Sequence, residues 1–317
     1  MKKFQSARLF RLCPPAAALA LLVVAAGAAP PPQKGRTASR GGAAAPAESQ
    51  PARLLKRTTT RREVRTFGHG GTLTIYGAPE GSVTVEGWPR AQVEIVAEIE
   101  SQAETEADLA LLAEVNRFHL DEDFNHLRVL TLGTHDAQYL KRAGLKLPKH
   151  LTGLPWQANY RVRVPIATDL VVYAGRGGLS LSGVDGSVRL QGGGGAATFD
   201  LSGGDFEARL AGGPVTVRIP TRSWRGRGMS LWLAGGDLTV ELPAGFSGNL
   251  DAEVLRAGRV ENQHPGLAPR GGPPDQTDRA LRARAGAGGA TLSFTVGDGT
   301  VKIVQAGGAR PAPGARP

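Results

Sequence analysis

The feature that most constrains this chain is a recurrence of short alternating apolar pairs with glycines between them. One set is Leu179/Leu181, Phe199/Leu201, Val217/Ile219 and Leu238/Val240, spaced 20, 18 and 21 residues apart. A second is Val188/Leu190, Ala208/Leu210, Met229/Leu231 and Leu250/Ala252, at spacings of 20, 21 and 21. Gly183, Gly186, Gly192 to Gly195, Gly203-Gly204, Gly212-Gly213 and Gly235-Gly236 punctuate them. Alternation of apolar with polar residues marks strands with one wet face. A unit of about 20 residues, two strands and two turns cannot bury its own apolar face, but stacked units share a continuous interior. The expected fold is therefore mainly β: a Gly-punctuated parallel β-solenoid or β-roll of ~20-residue repeats over residues 166–305. An antiparallel sandwich of hairpins also shows closely spaced short strands. The near-regular period in both sets favours the solenoid.

Residues 62–165 read as a strand-rich region that precedes the repeats. Val64/Thr66, Leu73/Ile75, Val83/Val85 and Val93/Ile95/Ala97/Ile99 alternate, and the breaks fall at Gly68-His69-Gly70-Gly71, Ala78-Pro79-Glu80-Gly81 and Gly87-Trp88-Pro89. The period changes over 104–115. There Leu109, Leu111, Leu112 and Val115 predict one amphipathic helix, with acids in its first turn and Ser101 or Thr105 as its cap. Strands follow at Phe118–Leu120 and Leu127–Leu132. Residues 134–158 and 263–289 fit neither period and read as insertions. Leu292/Phe294/Val296 and Val301/Ile303/Val304 read as a closing pair of strands.

The formal charge of +10 invites a nucleic-acid reading, and its distribution removes it. Residues 1–60 hold ten basic residues and one acid, whereas 61–305 hold 26 basic and 27 acidic residues. The excess lies in the ends. Lys2, Lys3, Arg8 and Arg11 precede the apolar run 14–29, and Ala26-Gly27-Ala28 fits a small-x-small cleavage site, so residues 1–28 read as a secretory signal peptide. Residues 29–61 read as a disordered basic linker and 306–317 as a disordered tail. The single cysteine, Cys13, excludes a disulfide framework. Export to the periplasm, cell surface or medium is expected.

Three stretches together point to a family. They are Gly71-Thr72-Leu73-Thr74-Ile75 followed by Gly81-Ser82-Val83-Thr84-Val85-Glu86-Gly87-Trp88, the acidic helix at 104–115, and Val162-Arg163-Val164-Pro165 leading into Gly178-Leu179-Ser180-Leu181-Ser182-Gly183-Val184-Asp185-Gly186-Ser187-Val188. In these the chain resembles bacterial exported proteins of the putative-adhesin family, whose function is unknown and whose domain is a β-roll of Gly-punctuated repeats. The resemblance spans about residues 62–305 outside the two insertions. Family members carry a Thr-Gly-Asn-Gly-type turn before each strand; here Ala174-Gly175-Arg176-Gly177-Gly178 lacks the Asn. The resemblance carries no catalytic residue, cofactor or metal ligand to transfer.

Chemistry-bearing patterns are sparse. No Gly-Lys pair completes a phosphate loop, and Gly178-Leu179-Ser180-Leu181-Ser182-Gly183 misses the nucleophile-elbow spacing by one residue. Asp121-x-Asp123-x-Asn125 starts like a calcium loop but continues with His126 and reaches Leu132 where Glu is required. His119 and His126 flank one turn without further zinc ligands. No catalytic, cofactor or metal residue is assigned. Stacked one period apart, Arg189 with Arg209 and Ser180 with Asp200 are the candidate ladder positions. The expected role is an exported, non-enzymatic, adhesin-like binding or structural scaffold for a cell-envelope glycan or protein, with no nucleic acid and no cofactor. Two rivals are a polysaccharide lyase or hydrolase using Asp200 and Arg218, and self-association through sheet edges.

Overall fold

The computed structural model describes residues 54–271 and 275–307. The expected signal peptide lies outside them, as do the linker up to residue 53 and the tail from residue 308. The described residues are mainly β. In chain order they form β1 (Leu55–Thr66), β2 (Thr72–Tyr76), β3 (Val83–Trp88), β4 (Gln92–Ala103), α1 (Glu106–Val115), β5 (Arg117–Asp123), β6 (His126–Leu132), α2 (Ala137–Arg142) and a 3-10 turn (Lys149–Leu151). Then come β7 (Trp156–Pro165), β8 (Asp169–Arg176), β9 (Leu179–Ser182), β10 (Ser187–Gly194), β11 (Ala197–Asp200), β12 (Gly203–Leu210) and β13 (Val215–Arg218). The chain continues through β14 (Arg225–Gly235), β15 (Leu238–Leu242), β16 (Gly248–Val254), β17 (Gly258–Asn262), β18 (Leu267–Pro269), β19 (Ala280–Ala285) and β20 (Thr291–Gln305).

The strands form one mixed network with two faces. In sheet A the order is β1–β4–β7–β3–β9–β11–β13–β15–β20–β17. In sheet B it is β5–β6–β2–β8–β10–β12–β14–β20–β16–β19–β18. The middle of each sheet is parallel. Antiparallel pairs stand at the ends: β1–β4–β7 in sheet A, and β5–β6 and β16–β19–β18 in sheet B. Parallel pairing was expected over 166–305; there the antiparallel pairs β16–β19–β18 make the sheet mixed.

The registers correct the expected period. Val188 lies opposite Leu170 on one side and Phe206 on the other, a step of 18 residues each way. Ala197 likewise lies between Leu179 and Val215. The next step is longer, because Phe206 pairs with Met229 and Val215 with Leu238. Spacings near 20 arose from joining residues two positions out of step, such as Leu190 with Leu210. Two apolar residues alternate on every strand, so either is an equally good match by hydropathy alone.

Stacking order also departs from chain order. The strand pair β2–β3 lies between β6–β7 and β8–β9. The expected closing pair is a single bent strand, β20, inserted between β14–β15 and β16–β17. Its bend at Gly297-Asp298-Gly299 carries it from sheet B to sheet A. Arg256 Nε donates to Asp298 Oδ2 at 3.0 Å and latches that bend.

One hydrophobic cluster runs through both regions, from Phe67 to Ile303. Inside it Phe199 and Phe206 pack with ring centroids 5.1 Å apart. Each such ring contributes about 3–5 kcal/mol relative to alanine. α1 is capped by Thr105, whose Oγ1 accepts from Asp108 N. It buries Leu109, Leu112 and Val115, while Leu111, expected on that face, is exposed. The segment 134–158 is no free insertion: Leu151 closes a second small cluster with Ala103, Leu109 and Leu112. Residues 263–289 likewise supply β18 and β19 and bury Leu267, Leu281, Ala283 and Ala285. β1 begins at Leu55, inside the expected linker, and pairs with β4 along its whole length.

Glycine is required at successive crossings from sheet B into sheet A, from β10 to β11, β12 to β13 and β14 to β15. A Cβ on Gly213 would stand 2.1 Å from the carbonyl oxygen of Gly195, and one on Gly236 2.3 Å from that of Gly213. Both have positive φ, +97° and +128°. Successive backbones meet at this corner with no room for a side chain.

Candidate binding face

The parallel core of sheet B points Leu170/Val172, Val188/Leu190, Phe206/Ala208 and Met229/Leu231 inward. The alternate residues must therefore face outward. The registers align them into rows. One row reads Tyr76, Tyr173, Gln191, Arg209, Trp232 across β2, β8, β10, β12 and β14. The row beside it reads Val171, Arg189, Glu207, Ser230.

Tyr76 and Tyr173 stack with ring centroids 5.0 Å apart and planes 11° from parallel. Tyr76, Tyr173 and Trp232 are 41%, 39% and 42% exposed. Beside Tyr173 lies a shallow depression of about 220 Å³ lined by Val171, Tyr173, Arg189, Gln191, Glu207 and Arg209. Arg209 Nη2 pairs with Glu207 at 2.8 Å. Arg189 is exposed and has no ion-pair partner among the described residues. Aromatic faces beside a few placed polar groups make a surface suited to a flat, hydroxyl-rich or charged ligand.

The expected ladder positions fall differently. Arg189 and Arg209 do not stack: Arg189 lies opposite Glu207, and Arg209 opposite Gln191. The two arginines are diagonal neighbours and both line the depression. Ser180 lies opposite Thr198, and Asp200 opposite Ser182, so that expected pair is also one residue pair out of step.

Ser180 and Asp200 belong to the outer face of sheet A. One row there is Thr84, Ser180, Thr198, Thr216, Thr239. The adjacent row places Asp200 beside Arg218 and Arg218 beside Glu241. Arg218 Nε donates to Glu241 Oε2 at 2.9 Å. Asp200 and Arg218 are thus in register on neighbouring strands, within a charge-alternating row. Toward β1 that row continues through Glu94, which accepts from Arg62 Nε at 2.6 Å and also from Arg163. The Arg62 hydrogen bond holds the Glu94 carboxyl below the usual glutamate range, against the opposing effect of burial.

The β5–β6 turn is a structural hairpin. Asp121 pairs with Arg128 at 2.9 Å, and Asn125 Nδ2 donates to Gly70 O at 3.3 Å. His126 Nε2 lies 2.8 Å from Thr74 Oγ1, while His119 stands opposite Leu130. The turn does not bring the two histidines together.

Tyr76, Tyr173, Gln191, Glu207 and Trp232 were not singled out from sequence. A signal existed: each aromatic occupies an outward position beside inward Ile75, Val172 or Leu231 and Leu233. Their assembly into one row required the register.

No family model and no curated protein matches this chain. Among solved structures it is similar to a putative cell adhesion protein from Clostridium sporogenes, at 12% identity over 79% of this chain and 100% of that one, with a TM-score of 0.41. A putative adhesin from Bacteroides fragilis is 11% identical over 78% of this chain and 97% of that one, with a TM-score of 0.23. A putative lipid binding protein from Parabacteroides distasonis is 10% identical over 77% and 96%, with a TM-score of 0.25. Likenesses this distant carry no argument about what the present chain binds.

Proposed function

We propose that this chain is an exported, non-enzymatic binding protein of the adhesin type. Its rungs form a β-solenoid that displays the outer face of sheet B to a cell-envelope glycan. The solenoid reading is supported by the shared 18-residue step in both sheets and by the glycine corner repeated from rung to rung. The binding reading rests on one observation, the exposed aromatic row Tyr76–Tyr173–Gln191–Arg209–Trp232. Exposed aromatics gathered on one face of a charged surface mark an interaction site. Strand spacing of about 4.8 Å sets the pitch of the row.

The test is retention of the full chain on insoluble envelope polysaccharide, beside a Tyr173→Ala/Trp232→Ala variant. Both side chains are substantially exposed, so the fold should survive. Retention should weaken at least about tenfold. Unchanged retention would reject this face. Release of new reducing ends from the retained polysaccharide would reject the non-enzymatic part, and recovery of the protein only from cytosol would reject export.

A further inference from the structure

Resting on the glycan reading, we infer that the depression on sheet B selects an acidic polysaccharide, seating a uronate carboxylate between Arg189 and Arg209. Arg189, Gln191, Glu207 and Arg209 occupy the corners of one cell of the parallel ladder. Strands there are about 4.8 Å apart, and same-face neighbours along a strand about 6.6 Å. Arg189 and Arg209 stand on one diagonal of that cell. Glu207 neutralises one of them through its 2.8 Å pair with Arg209. Arg189 has no carboxylate partner among the described residues and is exposed.

The depression therefore carries one uncompensated cation, since Arg189 and Arg209 face the single carboxylate of Glu207. A guanidinium fork matches a carboxylate in two parallel hydrogen bonds, which neutral hydroxyls cannot reproduce. Tyr173 lies beside Gln191 in the same row and Trp232 beside Arg209. The anion site is thus bracketed by two half-exposed aromatic side chains, Tyr173 and Trp232, which adjoining sugar rings can contact. One chain lying along the row would meet stacking, charge and stacking in turn.

The experiment measures binding of the full chain to polygalacturonate, alginate and hyaluronan, to methyl-esterified polygalacturonate, and to neutral glucan and xylan. At least one uronate polymer should bind at least about tenfold tighter than the neutral polymers, with affinity falling as salt rises. If polygalacturonate is that polymer, esterification should remove the advantage. Arg189→Ala should lower the acidic polymer to the neutral level without changing thermal stability. Glu207→Gln frees Arg209 and should raise the ratio of acidic to neutral binding. Equal binding of acidic and neutral polymers, still lost in Tyr173→Ala/Trp232→Ala, would overturn this inference and leave the glycan reading standing. Binding to none of the polymers would overturn both.

Discussion

At the scale of single residues, the glycine corner is where one atom decides the outcome. Gly213 has φ +97°, and a Cβ there would meet the Gly195 carbonyl oxygen at 2.1 Å. Backbone cannot move aside without shifting the neighbouring rung. Gly213→Ala should therefore cost at least about 3 kcal/mol, from a disfavoured φ plus the clash. Gly70 is the matched control: its φ is +71°, but nothing lies within 4 Å of its missing Cβ. Gly70→Ala should cost only about 1–2 kcal/mol, the conformational penalty alone. Denaturant melts of the two variants measure the difference, and equal losses would show that the corner is not packed as described. The glycines were visible in the sequence as punctuation. Their stacking on one another was not, because nothing in a one-dimensional spacing says which glycine faces which.

At the scale of elements, β20 has an unusual burden. It supplies partners to β14 and β16 with its first half and to β15 and β17 with its second. Leu292, Phe294, Val296, Val301 and Ile303 on it are all buried. β20 thus lies between two strand pairs that both precede it in the chain. A chain ending at residue 290 should lose hydrogen-exchange protection in β14–β15 and β16–β17 alike, and should aggregate through the strand edges so exposed. Retained protection in both pairs would mean that β14–β15 can join β16–β17 without it. Sequence patterning placed the two apolar stretches of β20 correctly. It read them as a terminal pair because chain order was the only order available to it.

At the scale of the whole molecule, the equal steps β8–β10–β12 and β9–β11–β13 predict that one rung can be removed cleanly. Deleting residues 187–204 joins Gly186 to Asp205, the same local sequence that Gly204 and Asp205 now provide. The shortened chain should fold, because β8 then meets β12 in register and each inward residue keeps an inward partner. Deleting 187–206 should fail, since it removes Asp205 and Phe206 and displaces β12 by two residues against both turns. Circular dichroism and melting cooperativity distinguish the outcomes. A folded product from the longer deletion, and none from the shorter, would contradict the register.

The sequence by itself determined that this chain is mainly β, that its strands alternate about a shared apolar interior, and that one helix over 104–115 is capped by Ser101 or Thr105. Those properties are local: hydropathy alternation, glycine placement and cap chemistry act within a few residues of where they are written. Tertiary structure decided the register, the insertion of β2–β3 and β20 between other rungs, and the antiparallel ends. Each depends on which strand lies beside which, and every inward Leu or Val is nearly interchangeable with the next as a hydrophobic partner. The candidate site inherits that dependence. Arg189 and Arg209 could be named from spacing, but they became diagonal neighbours around Glu207, flanked by Tyr173 and Trp232, only when backbone hydrogen bonds set the step between rungs at 18 residues.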